Sequence, residues 1–192
     1  MSHSTLYGIT KDFHGVEISE YHNSFLFGPA IWRFLELKYH TSSVSGFTFT
    51  EGEKQINAIM NKGENFAEQI CWELSNQQVF SIADKDLVAD CIDKFIEVAQ
   101  FVGNYDVDRF HTVAADIRNM DKHKYKFFVF KNTDVDDEVA NWFYTCGEEP
   151  TKCSMLDSDY FKNELVVIDP INHHVHRFMP FDEFKSTYEQ YK

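Results

Sequence analysis

DKDLVADCIDKFIEVAQFV, running from Asp84 to Val102, is the stretch whose reading decides the fold. Leu87, Val88, Cys91, Ile92, Phe95, Val98, Ala99 and Val102 recur at three- and four-residue spacings, which places them in one stripe of a helix. Asp86, Asp90, Asp93, Lys94 and Glu97 fall on the other face. Gly103 follows the last apolar position and gives the helix its stop. A stripe of this width must be buried against other elements, so its neighbours in sequence should supply them.

Working outward, helical spacing returns downstream from Val107 to Asn119, with Phe110, Val113, Ala114 and Ile117 turned inward. Upstream, Phe66, Ile70 and Leu74 repeat at four residues after an interruption at Gly63. Ile56, Ile59 and Met60 share a face behind Thr50 and Glu53, a capping-box pair. A further helix is expected from Pro29 or slightly earlier to Tyr39, carrying Ile31, Trp32, Phe34 and Leu35. Trp32 and Phe95 are both expected to be buried.

Strand signals gather at the two ends. Leu6–Ile9 and Val16–Ile18 flank a polar turn ending at Gly15, which reads as a hairpin. Tyr125–Phe130 is a strand-like run, Leu165–Ile168 a buried strand, and His174–Phe178 its partner across the turn Asp169–Asn172. Asp136–Cys146 fits a helix by spacing, or a strand by its run of Trp142, Phe143, Tyr144 and Thr145. Pro180 opens a last helix with Phe181, Phe184, Tyr188 and Tyr191. The expectation is an α+β fold, with helices dominating the first two-thirds and a small antiparallel sheet built from the N-terminal hairpin and the C-terminal strands. No repeat, low-complexity tract or flexible linker divides the chain, so residues 1–192 are read as one globular domain.

Composition agrees with a packed core. Of 192 residues, 43% are hydrophobic and 16% aromatic, with 19 Phe and 9 Tyr, far too much apolar volume for a disordered acidic chain. The longest apolar runs, such as Phe127–Phe130, are too short to span a bilayer. Met1–Thr5 has neither a basic nor an apolar leader pattern, so a cytoplasmic location is expected. Cys71, Cys91, Cys146 and Cys153 match no zinc-ribbon or thioredoxin-like spacing and are read as reduced thiols, mostly in the core.

Charge is the second signal. The chain carries 31 Asp and Glu against 18 Lys and Arg, a formal net charge of −13. Nucleic-acid backbones and anionic membranes recruit the opposite sign, so neither is expected as a partner. The excess is concentrated between Asn132 and Glu164. There Asp134, Asp136, Asp137, Glu138, Glu148, Glu149, Asp157, Asp159 and Glu164 face only Lys152 and Lys162. Trp142, Phe143, Tyr144, Tyr160 and Phe161 are interleaved with them. Acids speed encounter with a basic partner and aromatics supply affinity. Asp134, Asp136, Asp137, Glu138, Tyr144, Glu148, Glu149, Asp157, Asp159 and Tyr160 are therefore the candidate partner-binding residues. The plainer reading is that the aromatics are core and the acids cover them.

Reaction chemistry leaves fewer traces. The chain has no phosphate-binding Gly loop, no nucleophile elbow, no Cys-x-x-Cys and no dinucleotide fingerprint. Cys146 has two glutamates nearby, which disfavour a thiolate nucleophile. Asp106/Asp108 and Asp134–Glu138 lack the glycine and glutamate placement of an EF-hand. His174 and His176 share a strand face, and with Asp169 across the turn they could hold zinc. A strand pair lacks the remaining ligands of a zinc site, and a His-rich outer face needs no metal. No catalytic residue, cofactor or metal is assigned. A metal-dependent enzyme using His174, His176 and Asp169 is the alternative.

The end of the chain, a strand closing on Asp169, a returning strand, then Phe181-x-x-Phe184 on a helix, resembles the tail of SUKH-type toxin-immunity proteins. The likeness covers less than a fifth of the chain, and no residue roles carry over from it. The expected function is a small acidic cytoplasmic protein without catalysis that antagonises a basic or nucleic-acid-binding protein. Toxin-immunity and phage counter-defence proteins are the nearest functional types.

Overall fold

The computed structural model describes residues 3–11, 15–21, 27–39, 50–103, 107–133, 166–169 and 174–177. In chain order the elements are β1 (His3–Thr10), β2 (Gly15–Tyr21), α1 (Phe27–Tyr39), α2 (Thr50–Met60), α3 (Phe66–Ser75) and β3 (Val79–Ser81). A 3-10 turn (Ile82–Asp84) leads into α4 (Lys85–Val102), followed by α5 (Asp108–Asn119), β4 (Tyr125–Thr133), β5 (Val166–Asp169) and β6 (His174–Arg177). The fold is α+β. A four-stranded antiparallel sheet in the order β2-β1-β4-β3 takes up the N-terminal hairpin. The C-terminal strands divide: β4 joins that sheet, whereas β5 and β6 pair separately as a two-stranded antiparallel ribbon. β3 was not expected, because three residues are too few to show a period.

The run Phe127–Phe130 in β4 is buried throughout. Its register explains why. Phe128 and Phe130 turn toward the helices and join the main core, while Phe127 and Val129 lie on the opposite face with Ile9 of β1 and Val79 of β3. A strand buried on both sides reads as a continuous apolar run instead of an alternation. Gly8 of β1 is required by its neighbour. A Cβ at that position would sit 2.6 Å from the Tyr125 ring, which lies over the bare backbone.

The helical layer centres on α4, which packs against α1, α3 and α5. Aromatic rings tie it to the sheet. Phe27 at the start of α1 lies 4.5 Å from Phe130 and 5.5 Å from Phe110, centroid to centroid, and Phe110 meets Phe95 of α4 at 6.0 Å. Phe95 is fully buried, as its stripe position requires. Trp32 is not: it is half-buried at the flank of α1, packed on Trp72 at 6.3 Å, where so large a ring covers the core edge. α1 begins at Phe27 because buried Ser4 of β1 reaches across and accepts its backbone N–H at 3.0 Å.

Helix ends are satisfied by specific groups. The Asn65 side chain accepts the Glu68 N–H to cap α3. At its other end, Gln78 N–H bonds Glu73 C=O and Gln77 N–H bonds Leu74 C=O, the two bonds of a Schellman stop. Gln77 takes the left-handed conformation, φ 60°, that glycine usually supplies. Gly63, with φ 68°, makes the break foreseen between α2 and α3. Lys85 extends its ammonium to the carbonyls of Arg118 and Met120, the latter at 2.7 Å, and so caps α5 from the foot of α4. No helix among the described residues is long and apolar enough to cross a membrane.

Candidate binding groove

Three helices converge on a groove of about 460 Å³. The end of α1 contributes Lys38; the start of α3 contributes Asn65, Ala67 and Glu68. The second half of α4 contributes Lys94, Phe95, Glu97, Val98 and Phe101. Helical spacing accounts for the α4 wall, since these residues fall within two turns on one side.

At the floor lies Glu68, wholly buried. Lys38 donates to its Oε1 at 2.5 Å, Tyr39 donates to Oε2 at 2.6 Å, and the Asn65 amide donates to Oε1 as well. Burial, and then this hydrogen bond to a carboxylate, push the Tyr39 phenol well above its ordinary value. A buried carboxylate is tolerated when donors surround it. With both oxygens engaged, Glu68 is an anchor between α1 and α3 and not a group free to meet a ligand.

The rim differs. Phe101 is 72% exposed, the one large hydrophobic side chain so exposed among the described residues. Glu97, one turn before it, is exposed and has no ion-pair or hydrogen-bond partner among the described residues. α4 has no basic residue in its last turn, so nothing on the helix offsets the partial negative charge at its C-terminus. Lys94 is also exposed, but it stands seven residues before Phe101, roughly 10 Å away along the axis.

The candidate partner-binding residues Asp134, Asp136, Asp137, Glu138, Tyr144, Glu148, Glu149, Asp157, Asp159 and Tyr160 lie outside the described residues, as do Cys146, Cys153 and the expected helices at Asp136 and Pro180. For the histidines the backbone register is informative. Asp169 pairs with His174 and Val167 with His176, so these four positions share the ribbon face opposite buried Val166, Ile168 and Val175. Among the described residues, no group of three or more His, Cys, Asp or Glu side chains is placed to hold a metal ion. Cys71 and Cys91 are buried free thiols, as expected of core cysteines.

The groove itself was not foreseen, since it needs three helices to form. One sign of it was present: Phe101 falls outside the apolar stripe that contains Phe95. Comparison with protein-family models, curated proteins and solved structures gives no match.

Proposed function

We propose that this protein is a non-enzymatic, cytoplasmic binding protein that captures a basic protein partner and covers the surface through which that partner works, in the manner of an immunity or counter-defence protein. The observation that carries the reading is the concentration of nine acids and only two bases between Asn132 and Glu164, interleaved with aromatics. Such a segment attracts a basic surface from a distance and supplies rings to hold it. An exposed aromatic beside a carboxylate with no partner among the described residues, Phe101 and Glu97, adds a second feature of the same kind. The same charge opposes DNA and RNA, so duplex binding in a low-salt anisotropy titration is expected to be absent.

The test is kinetic. With the partner recovered from the native host, the association rate should fall steeply as salt rises from 0.01 M to 0.15 M, because the Debye length contracts from about 30 Å to about 8 Å. Reversing Asp136, Asp137 and Glu138 to Lys should slow association by about tenfold or more with little change in Tm. Tyr144→Ala or Tyr160→Ala should speed dissociation instead. An association rate indifferent to the triple reversal would remove the main support for this reading.

The register of β5 and β6 favours one alternative, a metal-dependent enzyme, because it sets Asp169, His174 and His176 on a common face. Elemental analysis separates the two. The binding reading expects no stoichiometric metal; about one zinc per chain, lost when both histidines are changed to Ala, would replace it with the enzyme.

A further inference from the structure

We propose that Phe101 and Glu97 form the seat for an arginine side chain of the basic partner, with the groove behind them receiving the apolar residue next to it. The inference rests on the reading above that the partner is basic, and it assigns to the described residues a contact that the acidic segment does not explain.

Three features at one end of α4 call for a cation. Phe101 offers a ring face to solvent, and a ring face attracts cations even when exposed. Glu97 sits one turn away on the same side of the helix, its carboxylate unpaired among the described residues. The helix C-terminus adds partial negative charge with no basic side chain in the last turn to cancel it. A guanidinium suits this set better than an ammonium, because it is planar, stacks on a ring and still presents N–H groups edge-on to a carboxylate.

The groove then gives direction. Its anionic floor is already taken up by Lys38, Tyr39 and Asn65, so Glu68 does not compete for the cation. Val98 and Ala67 provide an apolar wall beyond Phe101. Lys94, about two turns before Phe101 and three residues before Glu97, repels a second cation at the far end. The partner segment should therefore carry its arginine at the Phe101 end and an uncharged or acidic residue at the Lys94 end.

The test is an NMR titration of the full-length ¹⁵N-labelled protein at low salt with an acetylated, amidated Leu-Arg-Leu peptide. The same peptide with citrulline for arginine serves as the neutral control. Saturable shifts at the backbone amides of residues 97 to 103 are expected. Affinity should fall at least fivefold with citrulline, in Phe101→Ala and in Glu97→Gln, while both variants keep the parent Tm. Shifts confined to residues 134–164, or a titration unchanged by Phe101→Ala, would overturn the arginine seat and leave the basic-partner reading standing. No saturable response to the tripeptide or to a nine-residue arginine-rich peptide would sink both.

Discussion

The two halves of α4 use the same side chains to opposite ends. In the first half, Asp90 and Asp93 are taken up internally: Arg118 of α5 donates to Asp90 at 2.6 Å and to Asp93 at 2.5 Å, and His111 meets Asp93 at 3.0 Å. These contacts raise the Arg118 guanidinium above even its ordinary value. In the second half, Glu97 makes no such bond among the described residues. Within the second half the phenylalanines divide as well. Phe95 is enclosed by Phe34 and Phe110, whereas Phe101 is left to solvent. Residue type alone does not separate a structural acid from one available to a partner. What separates Asp90 and Asp93 from Glu97 is the Arg118 guanidinium, which α5 brings to the first half of α4.

Substitutions along α4 test that contrast. The largest effect is expected from Phe95→Ala, which removes a ring from a filled aromatic cluster and should cost about 3–5 kcal/mol in chemical denaturation. A cost below about 1 kcal/mol would mean that the cluster closes over the gap and that the two phenylalanines differ less than their burial indicates.

Asp84, at the foot of α4, comes next. Burial raises its carboxyl from the ordinary 3.8 to about 6. The folded protein thus holds a proton at Asp84 that the unfolded chain has released, so the contribution of this group to stability falls as pH rises from about 4 to about 6 and is level above that. Asp84→Asn should abolish this fall and raise stability at pH 7 by on the order of 1–2 kcal/mol. An unchanged stability–pH profile would place the titration elsewhere.

Arg118→Gln should cost about 0.5–1 kcal/mol, and the difference should shrink in high salt, because the bridge is partly exposed. A loss that salt leaves intact would mean Arg118 acts by packing its stem. The smallest effect belongs to Phe101→Ser, within about 0.5 kcal/mol of the parent. A loss comparable to that of Phe95→Ala would show that the ring supports the fold and is not held in reserve for a partner.

How much of this was legible in the sequence depended on the range of the interaction involved. α4 was readable because its stripe is local: Val88, Cys91, Ile92, Phe95, Val98 and Ala99 are all buried, with Leu87 and Val102 half-buried near its ends. β4 was readable because burial on two faces leaves an unbroken apolar run. The start of α1 was blurred, since its first N–H is satisfied by Ser4 from a strand 23 residues away. The stop of α3 was hidden because glutamine stands where glycine would announce it. Period alone puts Trp32 in the interior, and period does not show how deep a stripe lies. The groove depends on the angle between three helices, for which the sequence has no local signature.

The two core cysteines have a use as a clock. Burial pushes the Cys71 thiol well above its ordinary range and the Cys91 thiol up to about 11, and Cys71 also lies 3.7 Å from the Cys91 carbonyl oxygen in the seam between α3 and α4. Thiols in that state are inert to alkylation until the seam parts. Mass spectrometry that follows alkylation at these two positions would therefore count openings of the α3–α4 seam. Where reclosing outpaces the reagent, the ratio of observed to free-thiol rates gives the free energy of opening. A rate shared by both sites would mark the two helices as one cooperative unit, and separate rates would show which of them lets go first.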